Sequence, residues 1–222
     1  MFLDERTKQE VLNRFKELDS PVKIKYFTQS INCDYCTETE QLLKEVAELS
    51  DLIDVEVHNF QIDNEAVEQF NIDKVPAIVI MGDEDYGVRF FGIPSGYEFI
   101  SLLEAIIRVS RRDPDLSPEA KTAIAAIDRP VHLQVFVTPT CPYCPRAVMT
   151  AHQYAMANPL IRADMVEASE FPEQSQRYDV MGVPRTVVNE KYYIDGGLPE
   201  EAFRERLLGI LQAEAMEAES VN

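Results

Sequence analysis

The chain has 222 residues, 45% of them hydrophobic and 27% charged, and it carries a formal net charge of −18. These values are typical of a globular protein with one large domain or two small ones. The acidic balance argues against a nucleic-acid partner, which requires clustered Lys and Arg. No run approaches the roughly 20 apolar residues of a membrane span, and the start lacks the apolar core of a signal peptide. The sequence therefore predicts a cytoplasmic protein.

The first half of the chain alternates between helical and extended patterns. A helix with apolar residues on one side opens it, Pro21 ends that helix, and an alternating strand then leads directly into a pair of cysteines. The predicted helices cover 4–18, 64–70 and 95–109, and the predicted strands cover 22–27, 53–60, 77–81 and 88–91. A further amphipathic helix, which contains Leu42, Leu43, Val46 and Leu49, leads away from Cys33.

The second half repeats this order, including the strand that ends in a cysteine pair. Its predicted helices cover 119–127, 173–178 and 199–211, and its predicted strands cover 131–137, 160–168, 185–188 and 192–194. A further helix follows the cysteine pair and runs through Ala147, Val148, Ala151 and Tyr154. The acidic segment 213–222 is expected to fray. The polar, proline-interrupted stretch 112–115 is the expected linker between units 1–112 and 113–222.

Each half, without its leading helix, has the element order of the thioredoxin fold. We therefore predict an α/β protein of two tandem thioredoxin-fold units, each with a mixed central sheet flanked by helices. Matching spacing in the two halves supports duplication, because Gly92-Ile93-Pro94 and Gly197-Leu198-Pro199 lie at equivalent places.

All four cysteines of the chain belong to two Cys-x-x-Cys pairs, Cys33/Cys36 and Cys141/Cys144. A strand that runs through such a pair into a helix is expected to place the first cysteine at the helix N-cap, where the positive end of the dipole favours thiolate. We predict that Cys33 and Cys141 attack a substrate disulfide and that Cys36 and Cys144 resolve the mixed disulfide.

The residues between the paired cysteines differ in the two halves. Pro142 is expected at the first helical position, where its fixed φ favours the turn. Asp34 places a carboxylate next to Cys33 and disfavours its thiolate. The sequence thus predicts that Cys141 is the more reactive thiol.

A Val-Pro step follows each first cysteine at the same distance, with the proline 43 positions further along the chain. We expect cis bonds at Val75-Pro76 and Val183-Pro184, since cis peptides are essentially a proline feature and mark tight local geometry. Beside a cysteine pair, such a bond exposes the backbone of the preceding valine, so an extended substrate can add as a strand. Two ordinary turn prolines are the alternative.

A buried acid near the resolving cysteine commonly accepts its proton in sites of this fold. The strand positions that precede each cysteine pair carry Lys25 and Val135, and neither is acidic. Glu167 and Glu56, in later strands, are the remaining candidates for proton transfer. Solvated glutamates without this role are the alternative for both.

Other chemistry finds little support in the sequence. Four cysteines in two pairs can hold zinc, but 104 residues separate the pairs, and zinc ribbons bring them far closer. We predict no metal site. The chain has neither a phosphate-binding lysine motif nor a dinucleotide fingerprint, so no cofactor is expected besides the redox-active disulfides Cys33–Cys36 and Cys141–Cys144.

The chain resembles the protein disulfide oxidoreductase family of thermophilic archaea and bacteria, glutaredoxin-like proteins with two fused thioredoxin units. The resemblance covers nearly the whole chain and is strongest over 87–94, 136–145 and 164–168. It implies reduction, formation or isomerisation of protein disulfides at both sites. It also implies reduction by an NADPH-dependent flavoprotein of the thioredoxin-reductase type, with a peroxiredoxin as a further partner. Asp34 departs from the family pattern.

Two other functions remain open from the sequence. An electron relay to a single partner such as a peroxiredoxin fits the fold, although two intact dithiols weigh against so narrow a role. A redox-linked peptide-binding chaperone is the second. Replacement of all four cysteines by serine would leave chaperone activity in place and abolish that of an oxidoreductase.

Overall fold

The computed structural model describes residues 2–220, with side chains through residue 217. The helices are α1 (Glu5–Arg14), α2 (Cys36–Ala47), α3 (Asn64–Gln69), α4 (Phe99–Arg111), α5 (Pro118–Ala125), α6 (Cys144–Ala157), α7 (Pro172–Arg177) and α8 (Glu200–Ser220). The strands are β1 (Val22–Thr28), β2 (Ile53–Asn59), β3 (Ala77–Met81), β4 (Val88–Phe91), β5 (Val131–Val137), β6 (Ile161–Glu167), β7 (Arg185–Val188) and β8 (Tyr192–Asp195). The predicted element order is confirmed.

The strands of both halves form one continuous sheet, in the order β2-β1-β3-β4-β6-β5-β7-β8. Within each half, two strands pair in parallel and the others antiparallel, which gives the mixed sheet expected of each thioredoxin-fold unit. The units join where β4 pairs in parallel with β6, from Val88 opposite Ala163 to Phe91 opposite Val166. The sequence analysis predicted a sheet for each unit and did not predict this junction.

The two faces of the sheet are covered to different extents. On one face, a single apolar core runs through both halves beneath α1, α2, α4, α6 and α8, and α4 of the first unit packs directly on α6 of the second. On the other face, a smaller core lies beneath the short helices α3 and α7. The long shared core and the shared sheet fix the two units relative to each other.

The C-terminal segment does not fray where the sequence predicted it would. Helix α8 continues to Ser220, and only the last two of the predicted residues lie outside the described part of the chain. The segment is rich in Ala and Glu, which favour helix. Its Glu214 accepts a hydrogen bond from Asn189, and Glu217 accepts hydrogen bonds from Lys191 and Tyr192. These contacts anchor the helix to the turn between β7 and β8.

The boundary between the units remains a prediction at residue 112. The segment between α4 and α5 contains neither helix nor strand, as expected of a linker. Within residues 2–220, no helix is long and apolar enough to cross a membrane.

A buried ionic cluster lies beside the junction of the units. The Asp164 carboxylate, on β6, accepts hydrogen bonds from Arg162 at 2.8 and 2.9 Å and lies 2.7 Å from Nε2 of His132. Burial opposes ionisation, yet His132 and Arg162 hold the pKa of Asp164 well below its usual range. A carboxylate of this kind stabilises the fold above its ordinary pKa.

We predict that Asp164→Asn lowers the free energy of unfolding by about 3 kcal/mol at pH 7, because it leaves His132 and Arg162 without their buried counter-charge. Urea denaturation measures the change. The difference in unfolding free energy between the variant and the unmodified protein should narrow below about pH 4. It should vanish as the pH falls through the lowered pKa of Asp164, where the native carboxylate is protonated.

The matched control is Asp195→Asn, which removes an exposed partner of Arg185. It should cost less than about 1 kcal/mol. Equal losses in the two variants would contradict a stabilising role specific to Asp164.

Candidate redox sites

Both cysteine pairs form disulfides in the structure, Cys33 with Cys36 and Cys141 with Cys144, and the Cα atoms of each pair are 5.5 Å apart. Each pair follows the carboxyl end of the central strand of its unit, β1 or β5, and leads into the next helix. The first cysteine of each pair is the more exposed, and the second is buried. This difference fits attack by Cys33 and Cys141 from solvent and resolution by Cys36 and Cys144 from the interior.

The helices begin later than the sequence predicted. Both α2 and α6 start at the second cysteine, with Tyr35 and Tyr143 as their N-caps, so Cys33 and Cys141 precede the helix rather than cap it. Pro142 likewise lies before the helix, and a different proline occupies the first turn of α6. The intervening residues form a turn that brings the first sulfur back over the helix N-terminus, where the dipole still acts on it.

The Val-Pro steps lie beside the sulfurs, and both bonds are cis, as predicted. Val75 and Pro76 line the same cleft as Cys33. In the second unit, Sγ of Cys141 lies 3.7 Å from the carbonyl oxygen of Val183. The structure thus brings the predicted substrate-binding valine to the first cysteine in both units.

The first site opens into a cleft of about 500 Å³ with an acidic wall. Asp34 and Tyr35 lie on one side, and Glu170, from the loop between β6 and α7, lies on the other. Burial, together with the negative charges of Glu167 and Asp34, raises the pKa of Glu170 to about 7 against the lowering effect of the hydrogen bond from Ile93. The site of the first unit is therefore completed by a residue of the second.

The loop before the second cysteine pair rests on the first unit. The backbone N–H of Tyr97 donates to the carbonyl oxygen of Pro139 at 2.9 Å. Gly96 permits this approach, because a Cβ there would collide with the same oxygen, and its φ of +59° also favours glycine. Tyr143 and Met181 are exposed near this pair and give its surroundings apolar character.

Glu98 is a buried acid that the sequence analysis missed. It ends the 3₁₀ turn Gly96–Glu98, which packs against α6, the helix that begins at Cys144. Its Oε2 accepts a hydrogen bond from Ser101 at 2.6 Å, while Oε1 is buried and has no hydrogen-bond partner within residues 2–220. Burial raises the pKa of Glu98 to about 7. The missed signal is an acid in the helix-start segment that follows the Gly-Ile-Pro motif, where the second half has an apolar residue.

The two glutamates named from the sequence lie in different surroundings. Glu167 is buried at the end of β6, where Oε2 accepts the N–H of Glu170 at 2.7 Å and Oε1 meets no hydrogen-bond donor of the described chain. Glu56 is exposed on the edge strand β2 and pairs with Lys25 and His58. The structure brings Glu167 towards the junction and the first cleft, whereas Glu56 lies on an open edge of the sheet.

The described residues include no group of three or more His, Cys, Asp or Glu arranged to hold a metal ion. Of the histidines, His152 is buried and contacts the Arg89 carbonyl and the Phe90 ring. His58 stacks on Phe27. These contacts are those of packing residues.

Known proteins share this arrangement. The thioredoxin domain family matches residues 22–104 and 131–209. A protein disulfide oxidoreductase structure from Aeropyrum pernix is 32% identical with a TM-score of 0.85, and the match covers 93% of this chain and 92% of that one. A structure of the alkylhydroperoxide reductase AhpF of Enterococcus faecalis is 28% identical with a TM-score of 0.87, over 93% of this chain and all of that one. The corresponding alkyl hydroperoxide reductase protein of Staphylococcus epidermidis is 29% identical over 164 residues.

Two disulfides at strand–helix junctions, each beside a Val-Pro step, form an arrangement suited to thiol-disulfide exchange. The chain belongs to the thioredoxin domain family, which it matches in both halves. The resemblance to the tandem-unit oxidoreductases is confirmed. The chain spans only 26% and 30% of the length of two curated relatives, an NADH dehydrogenase of Ferdinandcohnia aciditolerans and the Staphylococcus epidermidis reductase.

We predict that, in the reduced protein, Cys141 reaches half of its maximal alkylation rate at a lower pH than Cys33. The carboxylates of Asp34 and Glu170 disfavour a thiolate in the first cleft. Iodoacetamide labelling across pH, followed by mass spectrometry of each cysteine peptide, measures both midpoints independently of exposure.

Asp34→Asn provides the control, since it should lower the midpoint of Cys33 and leave that of Cys141 unchanged. A lower midpoint for Cys33 in the unmodified protein would reverse the ranking of the two thiols.

Proposed function

We propose that the chain is a protein dithiol-disulfide oxidoreductase that works through two cysteine pairs. The observation that carries this proposal is the repeated geometry of a more exposed first cysteine, a buried second cysteine and a Val-Pro step beside them. The similarity to the Aeropyrum pernix protein, over nearly the full length of both chains, supports it.

The chemistry follows from the different exposure of the paired sulfurs. The thiolate of Cys33 or Cys141 attacks a substrate disulfide, forms a mixed disulfide and releases one substrate thiolate. Cys36 or Cys144 then loses its proton and attacks the first cysteine, which releases the second substrate thiolate. Two electrons pass to the substrate and the protein disulfide forms. The same steps in reverse oxidise a dithiol, and a mixed disulfide that returns to another substrate cysteine gives isomerisation.

Substrate would bind as an extended segment across the valines that precede the two prolines. Backbone hydrogen bonds fix both prolines, since the carbonyl oxygens of Pro76 and Pro184 accept the N–H groups of Gly92 and Gly196, each at 2.9 Å. The preceding valines then face the cleft side. An added strand of this kind binds mainly through backbone hydrogen bonds and tolerates varied side chains, which suits an enzyme that acts on several proteins.

The electrons for reduction would come from an NADPH-dependent flavoprotein of the thioredoxin-reductase type, and the protein itself would bind no cofactor beyond its two disulfides. We place this reaction in the cytoplasm. Electron transfer to a peroxiredoxin is the second candidate, because the tandem fold matches the alkylhydroperoxide reductase AhpF at a TM-score of 0.87. Retention of both cysteine pairs favours the broader oxidoreductase.

Glu98 is our candidate for the proton acceptor of Cys144. It has a buried oxygen to which no described residue donates, lies in the turn packed on α6, and has a pKa of about 7, so it exchanges protons near neutral pH. Glu167 is a further candidate for proton transfer, since it accepts the N–H of Glu170, which lines the first cleft. Glu56 is ionised through its pair with Lys25 and is the weaker candidate.

We predict that dithiothreitol-driven reduction of insulin by the protein falls at least about tenfold in Cys141→Ser. The reason is that Cys141 lacks the neighbouring carboxylates, Asp34 and Glu170, that disfavour the Cys33 thiolate. Turbidity of the precipitating insulin chain follows the rate. Cys33→Ser is the matched variant and should retain most of the activity. A rate that survives Cys141→Ser would assign the main role to Cys33, and inactivity of the unmodified protein would refute the general reductase function.

We predict that Glu98→Gln slows reduction at the second site by about tenfold or more at neutral pH and removes an inflection near pH 7 from its rate profile. The sign follows from the raised pKa, since the carboxylate accepts a proton only above about pH 7. The measurement uses a Cys33→Ser/Cys36→Ser background, and an unchanged profile would rule out this role.

A further inference from the structure

Glu170 belongs to the second unit but lies in the wall of the first unit's active-site cleft. The cleft is lined by Cys33 and the Val75-Pro76 step from the first unit and by Ser169, Glu170 and Pro172 from the second. The β4–β6 junction produces this arrangement, since the loop after β6 emerges beside the carboxyl end of β4.

The Glu170 side chain is held in one position by the junction. Its Oε1 accepts the N–H of Ile93 at 2.7 Å, and its own N–H donates to Oε2 of Glu167 at 2.7 Å. Gly92 provides the space, because a Cβ there would lie 2.7 Å from Oε1 of Glu170 and 2.6 Å from Cβ of Glu167. With a φ of +90°, this position also favours glycine. The backbone at the junction is therefore shaped around the carboxyl group.

Burial and the like charges that face Glu170 hold its pKa near neutral pH. Asp34 on the first cysteine loop and Glu167 at the end of β6 carry like charges, and Tyr26 on β1 lies within reach of its field. The Tyr26 hydroxyl donates to the carbonyl oxygen of Cys36 at 2.5 Å, and the Cys36 sulfur is bonded to that of Cys33, which lines the same cleft as Glu170.

The basic residue that precedes the Val-Pro step is engaged elsewhere. Lys74 pairs with Asp73 at 2.8 Å, and its ammonium group lies over the Phe91 ring. Its charge is therefore already balanced beside the cleft, and the carboxyl groups dominate the electrostatics around Glu170.

We propose that Glu170 is the acid–base group of the Cys33–Cys36 site, supplied across the junction by the other unit. This inference rests on the proposed oxidoreductase function. During resolution, the Cys36 thiol gives its proton to the Glu170 carboxylate, and the Cys36 thiolate attacks Sγ of Cys33. The Cys33–Cys36 bond forms, the mixed disulfide breaks, and the departing substrate thiolate takes the proton from Glu170. Charge and electrons balance without a further reactant.

Each cysteine pair then receives its acid–base group from the opposite unit. Glu98 of the first unit lies against the helix of the second cysteine pair, and Glu170 of the second unit lies in the cleft of the first. Neither acid occupies the position of the other in the duplicated sequence, since Glu98 follows β4 and Glu170 follows β6. The dependence of each site on the opposite unit is therefore a property of the joined sheet rather than of one repeat.

The test uses Glu170→Gln in two backgrounds, one with only the first cysteine pair (Cys141→Ser/Cys144→Ser) and one with only the second (Cys33→Ser/Cys36→Ser). Insulin reduction driven by dithiothreitol is measured across pH. We expect Glu170→Gln to slow the first pair about tenfold or more at neutral pH and to remove its inflection near pH 7. The second pair should be unaffected. Glu173→Gln, an exposed neighbour in α7, should change neither.

Equal slowing of both pairs, or an inflection that persists in Glu170→Gln, would overturn the proposal. Inactivity of both backgrounds before Glu170 is changed would instead overturn the oxidoreductase function itself. The glutamine amide oxygen can still accept the Ile93 N–H, so the fold should be retained. If Glu170→Gln unfolds, Glu170→Asp is measured instead, because this variant keeps a carboxyl group. An inflection near pH 7 that persists in Glu170→Asp supports the role of Glu170, and loss of the inflection overturns that role.

Discussion

The parallel pairing of β4 with β6 is the contact on which the rest of the architecture depends. Only four residue pairs form it, yet they merge two sheets into one and align the carboxyl ends of both units. That alignment places α4 against α6, seats the turn before α4 under the second cysteine loop, and sends the loop after β6 into the first cleft. The junction therefore brings residues of each unit against the cysteine loop or cleft of the other.

The duplicated sites differ mainly in charge. The first cysteine of the first site is more exposed and faces the carboxyl groups of Asp34 and Glu170, whereas Cys141 is nearly buried, with Tyr143 and Met181 exposed around it. Carboxylates disfavour thiolate and therefore weaken attack, but they also repel acidic clients and favour cationic segments. One fold thus carries two dithiols in different electrostatic surroundings.

The sequence was sufficient for everything that local periodicity encodes. It predicted both units, the element order, the disulfide partners and the cis bonds at Val75-Pro76 and Val183-Pro184, because these depend on spacing along the chain. It predicted that each helix begins at the first cysteine, whereas each begins at the second. The two-residue turn between the cysteines cannot be told from helix in the sequence pattern. It missed Glu98 and Glu170 because their surroundings arise from contacts between units, and it missed α8 beyond residue 211 because the anchoring partners lie in the β7–β8 turn.

Duplication leaves an open edge strand at each end of the sheet, and open edge strands can pair between molecules. Strands β4 and β6 are almost fully buried at the junction, whereas β8 and β2, which hold the corresponding places in the opposite units, lie open at the two ends of the sheet. Two apolar ends of this kind would pair head to tail and extend into a fibre, since that contact is heterologous and does not close. The strands at the ends carry Glu56 and Asp195 where the inner copies are buried. Exposed charged side chains on the outer strands disfavour such pairing.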